Sequence, residues 1–100
     1  MIVNFPYTDQ AGFKRRPALI IMVPPGNNLV LVQITSQNRG PYPISISQED
    51  LVAGNLTKQS YVQPDVIVTV NESIIHGKAG SLTQEKLAEI LDTIVNLLKA

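Results

Sequence analysis

Ala18-Leu19-Ile20-Ile21-Met22-Val23-Pro24-Pro25-Gly26-Asn27-Asn28-Leu29-Val30-Leu31-Val32-Gln33-Ile34-Thr35-Ser36 decides the fold. Ala18 to Val23 is continuously apolar and rich in branched side chains, as in a strand covered on both faces. Pro24-Pro25-Gly26-Asn27-Asn28 is a turn signal, so Leu29 to Ser36 is expected to return antiparallel as the second arm of a central hairpin.

Outward from this hairpin the elements are short. Met1 to Phe5 reads as an extended segment ended by Pro6. It starts without a preceding turn, so the first strand is expected to be short or clipped. Tyr7 to Arg15 reads as a polar loop hinged at Gly12. On the other side, Gln37 to Pro43 reads as an open loop and Ile44 to Ser47 as a short strand. Glu49 to Gly54 reads as one helical turn, with Leu51 and Leu56 turned inward. Tyr61 to Val62 and Val66 to Val70 read as two strands separated at Pro64. The last segment is helical. Thr83 suits the N-cap, Glu85 favours the positive end of the dipole, and Leu82 is placed to staple onto Leu87. Leu87, Ile90, Leu91, Ile94 and Leu98 then form one apolar stripe. The fold class is mainly β: a small, strongly bent antiparallel β-barrel with a C-terminal α-helix, in a single domain over residues 1–100.

Composition narrows the chemistry. The chain of 100 residues has no cysteine and one histidine, which gives neither a disulfide framework nor a Cys/His metal centre, so no metal and no cofactor is expected. No apolar run approaches the ~20 residues that span a bilayer, and the amino terminus lacks the order of a signal peptide, so a cytoplasmic protein without a membrane partner is expected. Hydrophobic residues make up 44% and charged residues 16%, a balance that suits a chain sharing apolar surface with another subunit. Net charge is zero but unevenly spread. Residues 1–40 hold Lys14, Arg15, Arg16 and Arg39 against Asp9 (4 − 1 = +3), and residues 41–100 hold four bases against seven acids (4 − 7 = −3). The amino-terminal part is where a polyanion would bind.

Arg16 and Thr35 stand where the two apolar runs meet polar loops. A guanidinium offers a rigid fork of donors matched to phosphoryl oxygens, and a threonine hydroxyl donates or accepts beside it. The plainer readings are a surface cation at a strand start and a threonine chosen for β-branching. His76, in an expected turn before Gly77, reads as a solvated loop residue rather than a general acid. Phe5, Tyr7 and Phe13 beside the basic loop, and Tyr42 between two prolines, are candidate stacking platforms, with core packing the alternative for Phe5.

Phe5-Pro6-Tyr7-Thr8-Asp9, Arg16-Pro17-Ala18-Leu19, Ile34-Thr35-Ser36, Ser60-Tyr61-Val62 and Gly80-Ser81-Leu82, in this order before a last helix, resemble the MazF/PemK-type toxins over nearly the whole chain. The resemblance implies an SH3-like barrel acting as a homodimer, the toxin of a type II toxin-antitoxin pair. Such a toxin is a metal-independent endoribonuclease (mRNA interferase) that cuts single-stranded RNA to 2',3'-cyclic phosphate and 5'-hydroxyl ends, and is silenced by a cognate antitoxin. It assigns catalysis to Arg16 and Thr35. Asp9 and Asp65 are possible acid/base residues, and Phe5, Tyr7, Thr8, Phe13, Lys14, Arg15, Ser36 and Gln37 are expected to touch RNA. Lys14 to Arg16 suit an acidic antitoxin segment equally well. Some relatives carry an arginine and an aspartate at the positions matched here by Gln63 and Asp65, which leaves a catalytically degenerate member as an alternative. A gyrase-poisoning toxin on the same fold is a second one, although such toxins use a carboxyl-terminal tryptophan and this chain has none.

Overall fold

The computed structural model describes the backbone of residues 1–9, 12–56 and 58–100, and the side chains of 1–6, 16–56 and 58–100. Seven strands form one antiparallel sheet: β1 (Ile2–Asp9), β2 (Gly12–Met22), β3 (Asn28–Thr35), β4 (Ile44–Ile46), β5 (Leu51–Gly54), β6 (Ser60–Asn71) and β7 (Lys78–Leu82), followed by helix α1 (Gln84–Lys99). Their order across the sheet is β4-β6-β3-β2-β1-β7-β5. The two edge strands, β4 and β5, do not hydrogen-bond to each other, so the expected barrel is a curled but open sheet. Laid flat, seven strands would set their edges ~29 Å apart, whereas the chain from Ile46 to Leu51 reaches at most ~18 Å. The sheet therefore bends until its edges approach without pairing.

The central hairpin forms as the sequence predicts. Leu19 pairs with Val32 and Ile20 with Leu31, and a bulge at Ile21 shifts the register so that Met22 meets Val30. Successive residues of β3 serve opposite faces. Val32 and Ile34 join Ile2, Leu19, Ile46, Val62, Leu82, Ile90 and Ile94 in the core under the helix. Leu31 joins Val3, Phe5 and Ala18 in a smaller cluster on the other face.

Two expectations built on prolines are corrected. β1 does not end at Pro6. It runs to Asp9, with Pro6 opposite Arg15, and the expected loop over 7–15 is a hairpin arm on each side of its tip. Asn4 donates to Gly77 O at 3.0 Å and accepts from His76 N at 2.8 Å, so its backbone groups point away from β2. Pro6, two residues further, turns its missing N–H to that same side, where β7 pairing has already ceased at Val3. Nor does Pro64 split β6, which is continuous from Ser60 to Asn71. Val32 pairs with Ile67 and Gln33 with Gln63, so Pro64, Asp65 and Val66 form a bulge in which no ladder donor is required.

The remaining elements are close to expectation in place but not in type. The expected helical turn at 49–54 is a 3-10 turn, Gln48–Asp50, followed by β5. Ser47 N donates to Asp50 Oδ2 at 2.9 Å, and the Gln48 amide bridges Gly54 O and Leu56 N. Leu51 and Leu56 pack against the core. β7, not read as a strand from the sequence, crosses β5 closely. A Cβ on Gly54 (φ +90) would stand 2.5 Å from Ala79 O, and one on Gly80 2.8 Å from Ala53 O.

Thr83 caps α1 by accepting from Lys86 N at 3.2 Å. Thr83 N donates to Asp50 O at 2.8 Å, and Lys86 approaches Asp50 at 3.9 Å, which ties the helix start to the 3-10 turn. Ile90 and Ile94 are buried, Leu87 borders the core and Leu91 is half-buried. Leu98, expected in the stripe, is 75% exposed, at the rim of a depression that it lines with Tyr42, Pro64 and Leu97.

Ile90, fully buried under the sheet, anchors the helix. Ile90→Ala should lower unfolding free energy by about 2–5 kcal/mol in urea titration. Gly54→Ala should destabilise through the positive φ and the clash with β7, and a variant as stable as wild type would show that the β5–β7 crossing yields readily.

Candidate active site

The β2–β3 ladder stops at Ala18 opposite Gln33. Ile20 N donates to Met1 O at 2.9 Å, so the backbone groups of Ile20, Ala18 and Arg16 face β1, and those of Leu19 and Pro17 face β3. Pro17 has no N–H to give to β3, and pairing ends beside it. Continuing the register by two residues sets Arg16 opposite Thr35, just past the last rung.

Other strands extend this row. Phe5 is the partner of Arg16 on β1, and Tyr61 is the partner of Thr35 on β6. Alternation puts Phe5, Arg16, Thr35 and Tyr61 on the face opposite the helix, because Phe5 and Ala18 belong to the smaller cluster while Ile34 and Val62 belong to the helix-side core. The adjacent row on that face is Val3, Ala18, Gln33 and Gln63. Arg16, half-buried, is the charged side chain of the first row, and Lys78 on β7, the partner of Val3, adds a second cation at the far end of the other.

Thr35 is 4% exposed and its Oγ1 accepts from Gln37 N at 3.2 Å. With a lone pair occupied by this turn, the hydroxyl proton remains to be donated. Gln33 Nε2 donates to Gln63 Oε1 at 3.0 Å, pairing the two amides across β3 and β6. The 36–43 segment returns over this pair. A Cβ placed on Gly40 would lie 3.3 Å from Gln63 Nε2.

The sequence-predicted residues divide accordingly. Phe5, Arg16 and Thr35 fall in one row, and Ser36 and Gln37 are exposed immediately after it. The side chains of Tyr7, Thr8, Asp9, Phe13, Lys14 and Arg15 lie outside the described residues. Asp65 does not join the row. It stands in the β6 bulge, lining a depression of about 290 Å³ with Tyr42, Pro64, Ile94, Leu97 and Leu98. His76 is exposed beside Asn4. Among the described residues no group of three or more His, Asp or Glu is arranged to hold a metal ion.

Gln33 and Tyr61 share the face of Thr35 but were not singled out from sequence. Gln33 was accessible, since it lies two residues before Thr35 in a strand. The pairing of Gln33 with Gln63 was not, because the bulge at Pro64 changes the register.

The arrangement can grip a phosphate. A guanidinium and a hydroxyl lie on neighbouring strands with the half-buried Tyr61 at one end of the row, whereas Phe5 at the other end is buried against Val3, Ala18 and Leu31, which is the core-packing alternative rather than a stacking platform. Among the described residues no helix is long and apolar enough to cross a membrane.

A search of curated proteins finds no match. Among solved structures, the Mycobacterium tuberculosis toxin MazF-mt6 is similar in fold, with a TM-score of 0.72 and 22% identity over 97% of this chain and 96% of that one. The sequence model of the PemK-like, MazF-like toxins matches residues 1–98. A match of that extent, on a curled sheet of the same architecture, makes this chain a member of the PemK-like, MazF-like toxin family of type II toxin-antitoxin systems.

Proposed function

We propose that this toxin is a cytoplasmic endoribonuclease that cuts single-stranded RNA, mRNA included, without a metal cofactor. The observation that supports the reading is the end of the β2–β3 ladder at Ala18 opposite Gln33, because the same register continued by two residues would set Arg16 opposite Thr35. In this reaction the 2'-hydroxyl loses its proton and bonds to phosphorus, the P–O5' bond breaks, and the departing 5'-oxygen takes up a proton. A 2',3'-cyclic phosphate and a 5'-hydroxyl result. Arg16 holds the charge that builds on the phosphoryl oxygens, and the Thr35 hydroxyl donates to one of them. A guanidinium, which gives up its own proton very reluctantly, is poorly suited to remove one from the 2'-hydroxyl, and Asp9 is the candidate base. Tyr61 flanks the row as a stacking surface, with Tyr7, Thr8, Phe13, Lys14, Arg15, Ser36 and Gln37 completing the RNA contacts, while Phe5 supports the row from within the smaller core cluster.

The domain is read as one unit over residues 1–100. The exposed Met22, Val23 and Val68, at the ends of β2 and β6 away from the row, suit a homodimer. The excess of base over acid in residues 1–40 suits an acidic segment of the antitoxin on the same surface.

Purified, antitoxin-free protein incubated with mixed-sequence RNA in EDTA should give discrete cuts bearing the stated ends. Arg16→Ala should lower the rate ~10²-fold or more, with the melting temperature within about 4 °C of wild type. Thr35→Val, which keeps the branch and removes the hydroxyl, should also slow cutting at unchanged fold. A well-folded wild type that leaves all RNA intact would remove the nuclease reading in favour of a degenerate member. Light scattering should give twice the 10.9 kDa chain mass, and a monomer at micromolar concentration would rule out the dimer.

A further inference from the structure

The row beside Arg16 and Thr35 carries a buried amide pair that the phosphate chemistry does not use. Gln63 is 8% exposed, and its oxygen accepts from Gln33 Nε2 at 3.0 Å. In this bond Gln63 is the acceptor, so its oxygen is turned to Gln33 and its NH₂ away from it. With the oxygen turned to Gln33, the NH₂ end is directed at the 36–43 segment, where a Cβ on residue 40 would come within 3.3 Å of it. Glycine at that position keeps the space above the NH₂ clear of any side chain.

Gln63 is diagonal to Thr35 across β3 and β6, with side-chain origins ~7–8 Å apart. A base joined to a nucleotide whose phosphate sat on Arg16 and Thr35 would come within this range, and would meet the amide by displacing the exposed Gly40 segment that lies over it. Uracil O4 and guanine O6 accept a hydrogen bond, whereas cytosine N4 and adenine N6 present donors of their own. We propose that Gln63, held donor-outward by Gln33, is a specificity-determining residue that selects a keto-bearing base (uracil or guanine) over an amino-bearing one beside the scissile phosphate. The inference rests on the nuclease reading for its RNA substrate, but not for its logic. A neutral donor contributes little to backbone affinity and much to the choice between edges.

The test uses full-length protein and a random single-stranded RNA pool, with cut sites read by sequencing. In parallel, an uncleavable 2'-O-methyl copy of the pool is selected for binding. Wild type should favour uracil or guanine over cytosine and adenine about tenfold at one position in both readouts. Gln63→Met, of similar volume and without a donor, should erase that preference while the other positions keep theirs. Gln63→Glu, which presents an acceptor, should shift it towards cytosine and adenine. Gln33→Met, which releases the amide, should admit all four bases. An unchanged base pattern in variants that melt like wild type would overturn the proposal, as would cutting by wild type with no keto preference anywhere. Selective binding without cutting would leave base selection standing and sink the nuclease reading. Absence of both binding and cutting would sink both.

Discussion

A missing hydrogen is the constraint on which the site depends. Pro17 lies in the middle of β2, between Lys14-Arg15-Arg16 and the apolar run from Ala18, and its nitrogen faces β3. Were another residue there, the ladder could run on and engage the β3 backbone past Gln33. Because proline has no N–H, the two strands part at Ala18 and Gln33, and Arg16 and Thr35 sit at an opening rather than on a continued sheet. The opening costs little, since it falls at the rim, where the chain next to Thr35 already turns and ties Gln37 N to the threonine oxygen.

The same chemistry explains which parts of the fold were legible in the sequence. The central hairpin and the last helix were, because each is specified redundantly: two apolar runs around a proline-glycine turn, and a capped helix with Ile90 and Ile94 on one face. Pro6 and Pro64 were misread as strand ends. Proline ends a ladder only on the side its nitrogen faces, and periodicity does not report that side. At Pro6 that side has no strand, and at Pro64 a bulge removes the need for a donor, so both strands continue. Leu98 was misread for another reason. Helical periodicity gives the direction of a side chain but not what lies beneath it.

Of the site, Arg16 and Thr35 were visible as residue types at strand ends, and the ordered motifs singled them out. Their juxtaposition follows from a register that no local pattern encodes, because the bulge at Ile21 falls between the turn and the paired residues. The Gln33–Gln63 pair depends on a second irregularity, the bulge at 64–66, and was further from view. Asp65 shows the converse. It is two residues from Gln63 in sequence, yet the bulge carries it to a depression beside the helix.

The division of labour within the two rows follows from charge. A chain with no net charge and two well-separated cations in these rows, Arg16 and Lys78, would hold RNA only weakly by phosphate neutralisation alone, since each such contact contributes a modest, salt-dependent increment. On the proposed reading, further grip would come from an aromatic face such as that of Tyr61, and discrimination from neutral hydrogen bonds. An arginine at position 63 would add a cation some 7–8 Å from Thr35 and bind any phosphate in reach. Glutamine there gives up that grip, and because Gln33 fixes its orientation it loses little side-chain entropy when a base arrives. On this account the neutral residue at position 63 trades affinity for selectivity, and the trade is possible because the bulge at Pro64 brings two uncharged amides into register beside the single guanidinium.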